Sequence, residues 1–198
     1  MKFDHSFDYY AMRYLLLWHQ SESVMVDGFA SNPVATLRSA MHGFRVARSF
    51  AGLADEQRAK FVVEAVLSMR SNVAAKNVLG LAEKFEKEFE RRNLSAASKL
   101  LWIRDRSPYL IYDSRALRAL KRYPVRVKNA DYESYEVAWR SSYDEHKVEI
   151  NKSVESLVNL QPYVQHWHPT KDSLRRLVRK PWFKERVFDI ALWENGTR

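Results

Sequence analysis

Residues Ser95–Leu120, SAASKLLWIRDRSPYLIYDSRALRAL, carry the reading on which the fold and the chemistry of this chain depend. The run from Lys99 to Ile103 reads as helix, RDRSP breaks it, and YLIYDSRALRAL starts another with Asp113 as its N-cap, since a short carboxylate there accepts a bond from an orphan backbone N–H. Lys99 has Leu100, Trp102 and Ile103 around it, so its stem lies beside apolar groups. An amine desolvated in such a place gives up its proton more readily and becomes a nucleophile at neutral pH. A carboxylate at the mouth of the next helix then stabilises positive charge developing on a sugar ring, or positions a water. The same residues also suit an ordinary surface, in which Lys99 snorkels to solvent and Asp113 is only a cap.

Helical spacing continues outward in both directions. Phe7, Tyr10, Ala11, Tyr14 and Trp18 form one apolar stripe, and Val34, Leu37, Met41 and Phe44 form a second behind Asn32 as cap and Pro33 at the first helical position. Val62, Ala65, Val66 and Met69 form a third, and Val78, Leu81, Ala82, Phe85 and Phe89 a fourth. Beyond the central stretch, Tyr123-Pro124 ends a helix. A long helix follows from about Asp131 to Leu160, with Tyr135, Trp139, Tyr143, His146, Ile150, Val154 and Leu157 on one side, and two shorter helices are separated at Lys180-Pro181. No hairpin signal or internal repeat interrupts the pattern. The expected fold is all-α, a compact orthogonal helical bundle in a single domain over 1–198, with N-terminal helices in 1–92 and the central motif and C-terminal helices in 93–198.

The chain has 198 residues, 46% of them apolar, and no cysteine. Disulfides, thiolate metal sites and cysteine nucleophiles are thereby excluded. The N-terminus does not read as a signal peptide and no apolar run approaches membrane-spanning length, so the expectation is a cytoplasmic protein with no membrane association. Phosphate-binding glycine loops, nucleophile elbows and dinucleotide fingerprints are missing, which demotes kinase, ATPase, esterase and dehydrogenase chemistry. His166 and His168 in HWHP alternate as a metal pair does, but with no third ligand they read as a turn, and His146 reads as a satisfied core histidine. No metal and no cofactor are expected.

The formal charge of +9 is focal. Nine basic residues stand against two acids between Lys99 and Lys128, and seven against two between Lys171 and Arg186, which leaves the remainder slightly acidic. Such focusing marks a polyanion-binding face, against the plain alternative of two solvated helix faces. The expected phosphate contacts are Arg104, Arg106, Arg115, Arg118, Lys121, Arg122, Arg175, Arg176 and Arg179, and the expected partner is nucleic acid, double-stranded DNA in the first instance. An acidic partner protein would meet the same faces.

The quoted stretch resembles the core of the helix-hairpin-helix DNA glycosylases, and most closely the bacterial oxoguanine-glycosylase-like proteins. The shared pattern is a Ser/Thr-Lys-x-Leu helix, a loop, and a hydrophobic-Asp-Ser-Arg-x-x-x-Ala-Leu segment. The resemblance covers about 26 residues, with a fainter echo in WFKERVFDIALW. It implies a helix-hairpin-helix glycosylase fold and a DNA glycosylase, with or without lyase activity, acting in repair or against modified phage DNA. Lys99 would attack the sugar C1′ and displace the base, and Asp113 would assist. An everted base also needs a pocket, for which Trp102, Tyr109 and Tyr112 are the nearest aromatic residues. Two features depart from the family pattern. Asn93-Leu94-Ser95-Ala96-Ala97 offers no hairpin glycine, and the Lys99-to-Asp113 interval is shorter by about one helical turn. The alternative is a nucleic-acid-binding protein without chemistry, such as a defence or regulatory subunit.

Overall fold

Asn32 and Pro33 behave as their types dictate: the Asn32 side chain accepts from Ala35 N, and Pro33 opens a helix where its missing N–H costs nothing. The same logic sets helix starts along the chain. Asp55, Asn93, Asp113, Asp131 and Thr170 each cap the helix that follows with a side-chain oxygen. The structure, a computed structural model, describes residues 3–44, 50, 54–122, 127 and 131–197. Among these residues every regular element is helical. The expected helix end at Tyr123-Pro124 and two of the counted cations, Arg126 and Lys128, lie outside them.

The elements are α1 Phe7–Leu17, a π-helical turn Trp18–Glu22, α2 Ser23–Ser31, α3 Pro33–Gly43, α4 Glu56–Ser68, α5 Ala74–Phe89, α6 Leu94–Arg104, α7 Ser114–Lys121, α8 Tyr132–Ser156, a 3-10 helix Leu157–Tyr163, α9 Lys171–Val178 and α10 Pro181–Asn195. The long helix anticipated to Leu160 therefore tightens into 3-10 geometry after Ser156, with Pro162 inside that segment. The chain separates into two bodies, one made of Gln20–Tyr112 and the other of Met1–His19 with Asp113–Arg198. Neither coincides with a division at residue 92, because α1 packs with α8 and α10.

In the central body, α6 packs against α2, α3, α4 and α5. It is buried on all sides from Ala96 to Ile103, which explains why its sequence shows no clean apolar stripe. The segment after it is pinned along it: the Ser98 hydroxyl accepts from Tyr112 N at 2.9 Å. Arg104 at its end donates to the carbonyl oxygens of Val66 and Met69, at the C-terminus of α4, and to the Tyr109 hydroxyl, which also accepts from Asn77 Nδ2 at 2.7 Å. A guanidinium thus satisfies the orphan carbonyls of a neighbouring helix.

In the other body, α10 is the central element and packs with α1, α7 and α8. Trp139 donates Nε1–H to Asp189 at 2.7 Å, and Asn195 donates to the Tyr10 hydroxyl at 2.7 Å. The Cα of Gly196 lies so close to α7 that a Cβ there would stand 1.8 Å from the Arg115 carbonyl oxygen. Glycine is required by that approach alone.

Candidate active site

Lys99 is 6% exposed. Its Nζ lies 5.8 Å from the centroid of Phe44, at the end of α3, so the amine sits among the helices of the central body with an aromatic face beside it. Its sequence neighbours Leu100, Leu101, Trp102 and Ile103 are buried with it. Asp113 caps α7 by accepting from Arg115 N at 2.9 Å.

The surroundings of Asp113 within its own body were not legible in the chain order. Tyr135 of α8 is fully buried, and its hydroxyl is pushed well above the usual tyrosine range by burial first, then by the charges of Asp189, Tyr132 and Asp113. Asp189 is itself buried and faces the Arg186 guanidinium at 3.6 Å. Asp113 therefore acts electrostatically on the buried Tyr135, as the Asp189–Arg186 pair does. The only sequence signal was a base and an acid three residues apart, Arg186 and Asp189, in the otherwise apolar RVFDIALW.

The three aromatic residues expected around a base fall into different places. Trp102 is 2% and Tyr109 4% exposed, both in the core of the central body, and the Tyr109 hydroxyl is held by Asn77 and Arg104. Tyr112 is half-buried at the end of the segment pinned by Ser98.

The nine expected phosphate contacts also divide. Arg104 is the α4 cap described above and is bound to Asp105 as well. Arg118 donates Nε–H to Gly196 O at 3.0 Å and Arg122 donates Nη1–H to Asn195 O at 2.9 Å, so both meet the carbonyls that end α10. Arg115 lies over the Trp193 ring, 4.4 Å from its centroid. It also borders an open cleft of about 400 Å³ shared with Tyr9, Arg13, Trp193 and Glu194. Arg106 is half-buried and Lys121 exposed. On α9, Arg175 pairs with Asp172, Arg179 with Glu155 at 3.6 Å, and Arg176 is exposed.

His146 is not the satisfied core histidine expected. Its ring packs against Phe3, Phe7 and Phe188, and its Nε2 has no hydrogen-bond partner among the described residues. Burial depresses its pKa. His166 and His168 flank a turn as one exposed and one packed ring, and His168 Nε2 also meets His19 Nε2 at 2.9 Å. Among the described residues no helix is long and apolar enough to cross a membrane. Comparison with protein-family models, with curated proteins and with solved structures finds no match.

Proposed function

We propose that this protein is a DNA glycosylase, with Lys99 as the nucleophile that displaces a damaged or modified base and Asp113 as the assisting carboxylate. The observation that carries the reading is the burial of Lys99: withholding an amine from bulk water is how a lysine becomes a nucleophile at neutral pH. Attack of Nζ on the sugar C1′ forms the C–N bond as the glycosidic bond breaks, and the base leaves with the electron pair. The negative charges of Asp113 and Asp189 both act at Tyr135, and negative charge of that kind suits an oxocarbenium-like sugar. The fold implied is that of the helix-hairpin-helix glycosylases, and the roles implied are repair or defence against modified phage DNA.

The test is incubation with duplexes carrying a panel of modified bases, with borohydride added. A covalent protein–DNA adduct that Lys99→Ala abolishes supports the reading with lyase activity, and base release without an adduct supports a monofunctional enzyme. No base release across the panel overturns it.

A second reading, a nucleic-acid-binding protein without chemistry, is favoured by the places of Trp102 and Tyr109, which are filled core positions. It predicts salt-sensitive binding to duplex DNA that Asp113→Asn leaves unchanged.

A further inference from the structure

The π-helical turn that follows α1 and the loop ahead of α9 bring two histidines together. His19 Nε2 and His168 Nε2 stand 2.9 Å apart, with the ring planes at 65° and the centroids at 4.8 Å. Two such rings aligned nitrogen to nitrogen along one line would have more distant centroids, so the nitrogens do not point straight at each other. Both rings are held from behind. His19 stacks on Trp167, with centroids at 4.4 Å and planes 9° apart. His168 Nδ1 meets the Ser173 hydroxyl at 3.3 Å.

Ser173 determines the tautomer of His168. Its single hydroxyl proton goes to the Thr170 carbonyl oxygen at 2.8 Å, which can only accept, so Ser173 Oγ accepts from His168 Nδ1–H. The neutral His168 ring then carries its lone pair on Nε2, facing His19. An imidazole whose outer N–H is anchored by an oxygen while the inner nitrogen is free to donate its lone pair is the usual arrangement of a metal-bound histidine. The spacing agrees. Two nitrogens bound at the ordinary zinc–imidazole length stand about 2.9 Å apart when their bonds meet at a right angle and about 3.3 Å apart in a tetrahedron.

We propose that His19 and His168 form a binding site for one divalent transition-metal ion of the imidazole-preferring group, zinc, nickel or copper, with water in the remaining positions. Among the described residues no third metal-ligating side chain converges on the pair, so the site is a clip joining the π-helical turn after α1 to the loop ahead of α9. Entry is open, since Trp167 beside it is 36% exposed and His19 is only half-buried. Both imidazoles are neutral at pH 7, as ligands must be: His19 is pushed down to about 4 by burial and then by the charges of His168 and His166, and His168 is lowered by burial. Without metal, His19 donates Nε2–H to His168. On binding, that proton moves to His19 Nδ1 and both Nε2 lone pairs go to the ion, so no net proton is released. The inference does not depend on the glycosylase reading.

The test is calorimetric titration of the full chain with zinc, nickel and copper chlorides at pH 7.5, together with thermal melts. One ion per chain and a rise of a few degrees in Tm are expected. His19→Gln and His168→Gln are each expected to weaken binding at least tenfold. Ser173→Ala, which leaves both ligands in place and loses the tautomer control, is expected to weaken it about tenfold, while His5→Gln and His42→Gln leave it unchanged. If the histidine variants fold poorly, ring NMR of the unmodified protein decides: zinc must shift the His19 and His168 signals and leave those of His5 and His42 in place. Saturable binding that survives His168→Gln, no binding below about 100 µM metal, or zinc shifts at other histidines would each overturn the site.

Discussion

Helices α7 and α9 are both eight residues long, both are capped by a side-chain oxygen, and both present arginines on the face away from their buried residues. In sequence, SRALRALK and KDSLRRLV make the same offer to a polyanion. Their surroundings separate them. The α7 side of the pair spends Arg118 and Arg122 on the carbonyls at the end of α10 and Arg115 on Trp193, because α7 packs beside that terminus. On α9, Arg175 and Arg179 make only surface ion pairs with Asp172 and Glu155, which are worth little in water. A guanidinium bound to a helix C-terminus is a structural part, and one in a surface pair can exchange its partner for a phosphate.

The contrast breaks first at the contact that sets α7 against α10. Gly196→Ala puts a methyl 1.8 Å from the Arg115 carbonyl oxygen, so the helices must part. A loss of at least about 3 kcal/mol is expected, read as a fall in Tm of about 10 °C or as loss of soluble protein. Second in size is Arg104→Ala, which removes a charged donor from the carbonyls of Val66 and Met69 and from Tyr109. Charged bonds of this kind predict a loss of about 2 kcal/mol by chemical denaturation. Arg118→Ala is expected to cost about 1 kcal/mol and Arg176→Ala less than about 0.5 kcal/mol. For duplex DNA binding the order reverses: Arg176→Ala together with Arg179→Ala should lower the slope of log affinity against log salt by about 2, and Arg118→Ala should change it less. Equal salt slopes in the two sets would dissolve the distinction.

A further effect is one of pH. His19 and His168 take up protons more readily in the unfolded chain than in the folded one, since their folded pKa values lie below 6.5. Their contribution to stability is complete above pH 6.5 and is lost as pH falls toward about 4. Glu185, whose pKa burial raises, opposes the trend just above pH 4.5. Denaturation at pH 7 and pH 5 should show a smaller difference for His19→Gln than for the unmodified protein, and an unchanged difference would remove the pair from the pH response.

Much of the local structure was legible in the chain. Asn32 with Pro33, Asp113, and Lys180-Pro181 mark helix starts where they were expected, because a cap is a contract between neighbours in sequence. The stripes Phe7 to Tyr14 and Val78 to Phe85 are buried, because apolar residues at helical spacing have one face to hide. The candidate site was legible only in part. Lys99 stood out as a cation in an apolar run, whereas the charges of Asp113, Arg186 and Asp189 that act on Tyr135 come from different segments and left no local signature. The tyrosine hydroxyl of Tyr109 was read for its ring, and its partners Asn77 and Arg104 come from other helices.

Sequence alone determined that the chain is helical, where several of its helices begin, and which residues carry charge, since caps, periodicity and ionisation are local properties. Tertiary structure alone decided that α1 packs with α8 and α10, that Arg104, Arg118 and Arg122 close other helices, and that His19 meets His168. Each of those outcomes depends on which unsatisfied carbonyl, ring or lone pair the packing of distant segments sets beside a side chain, and no spacing along the chain encodes that.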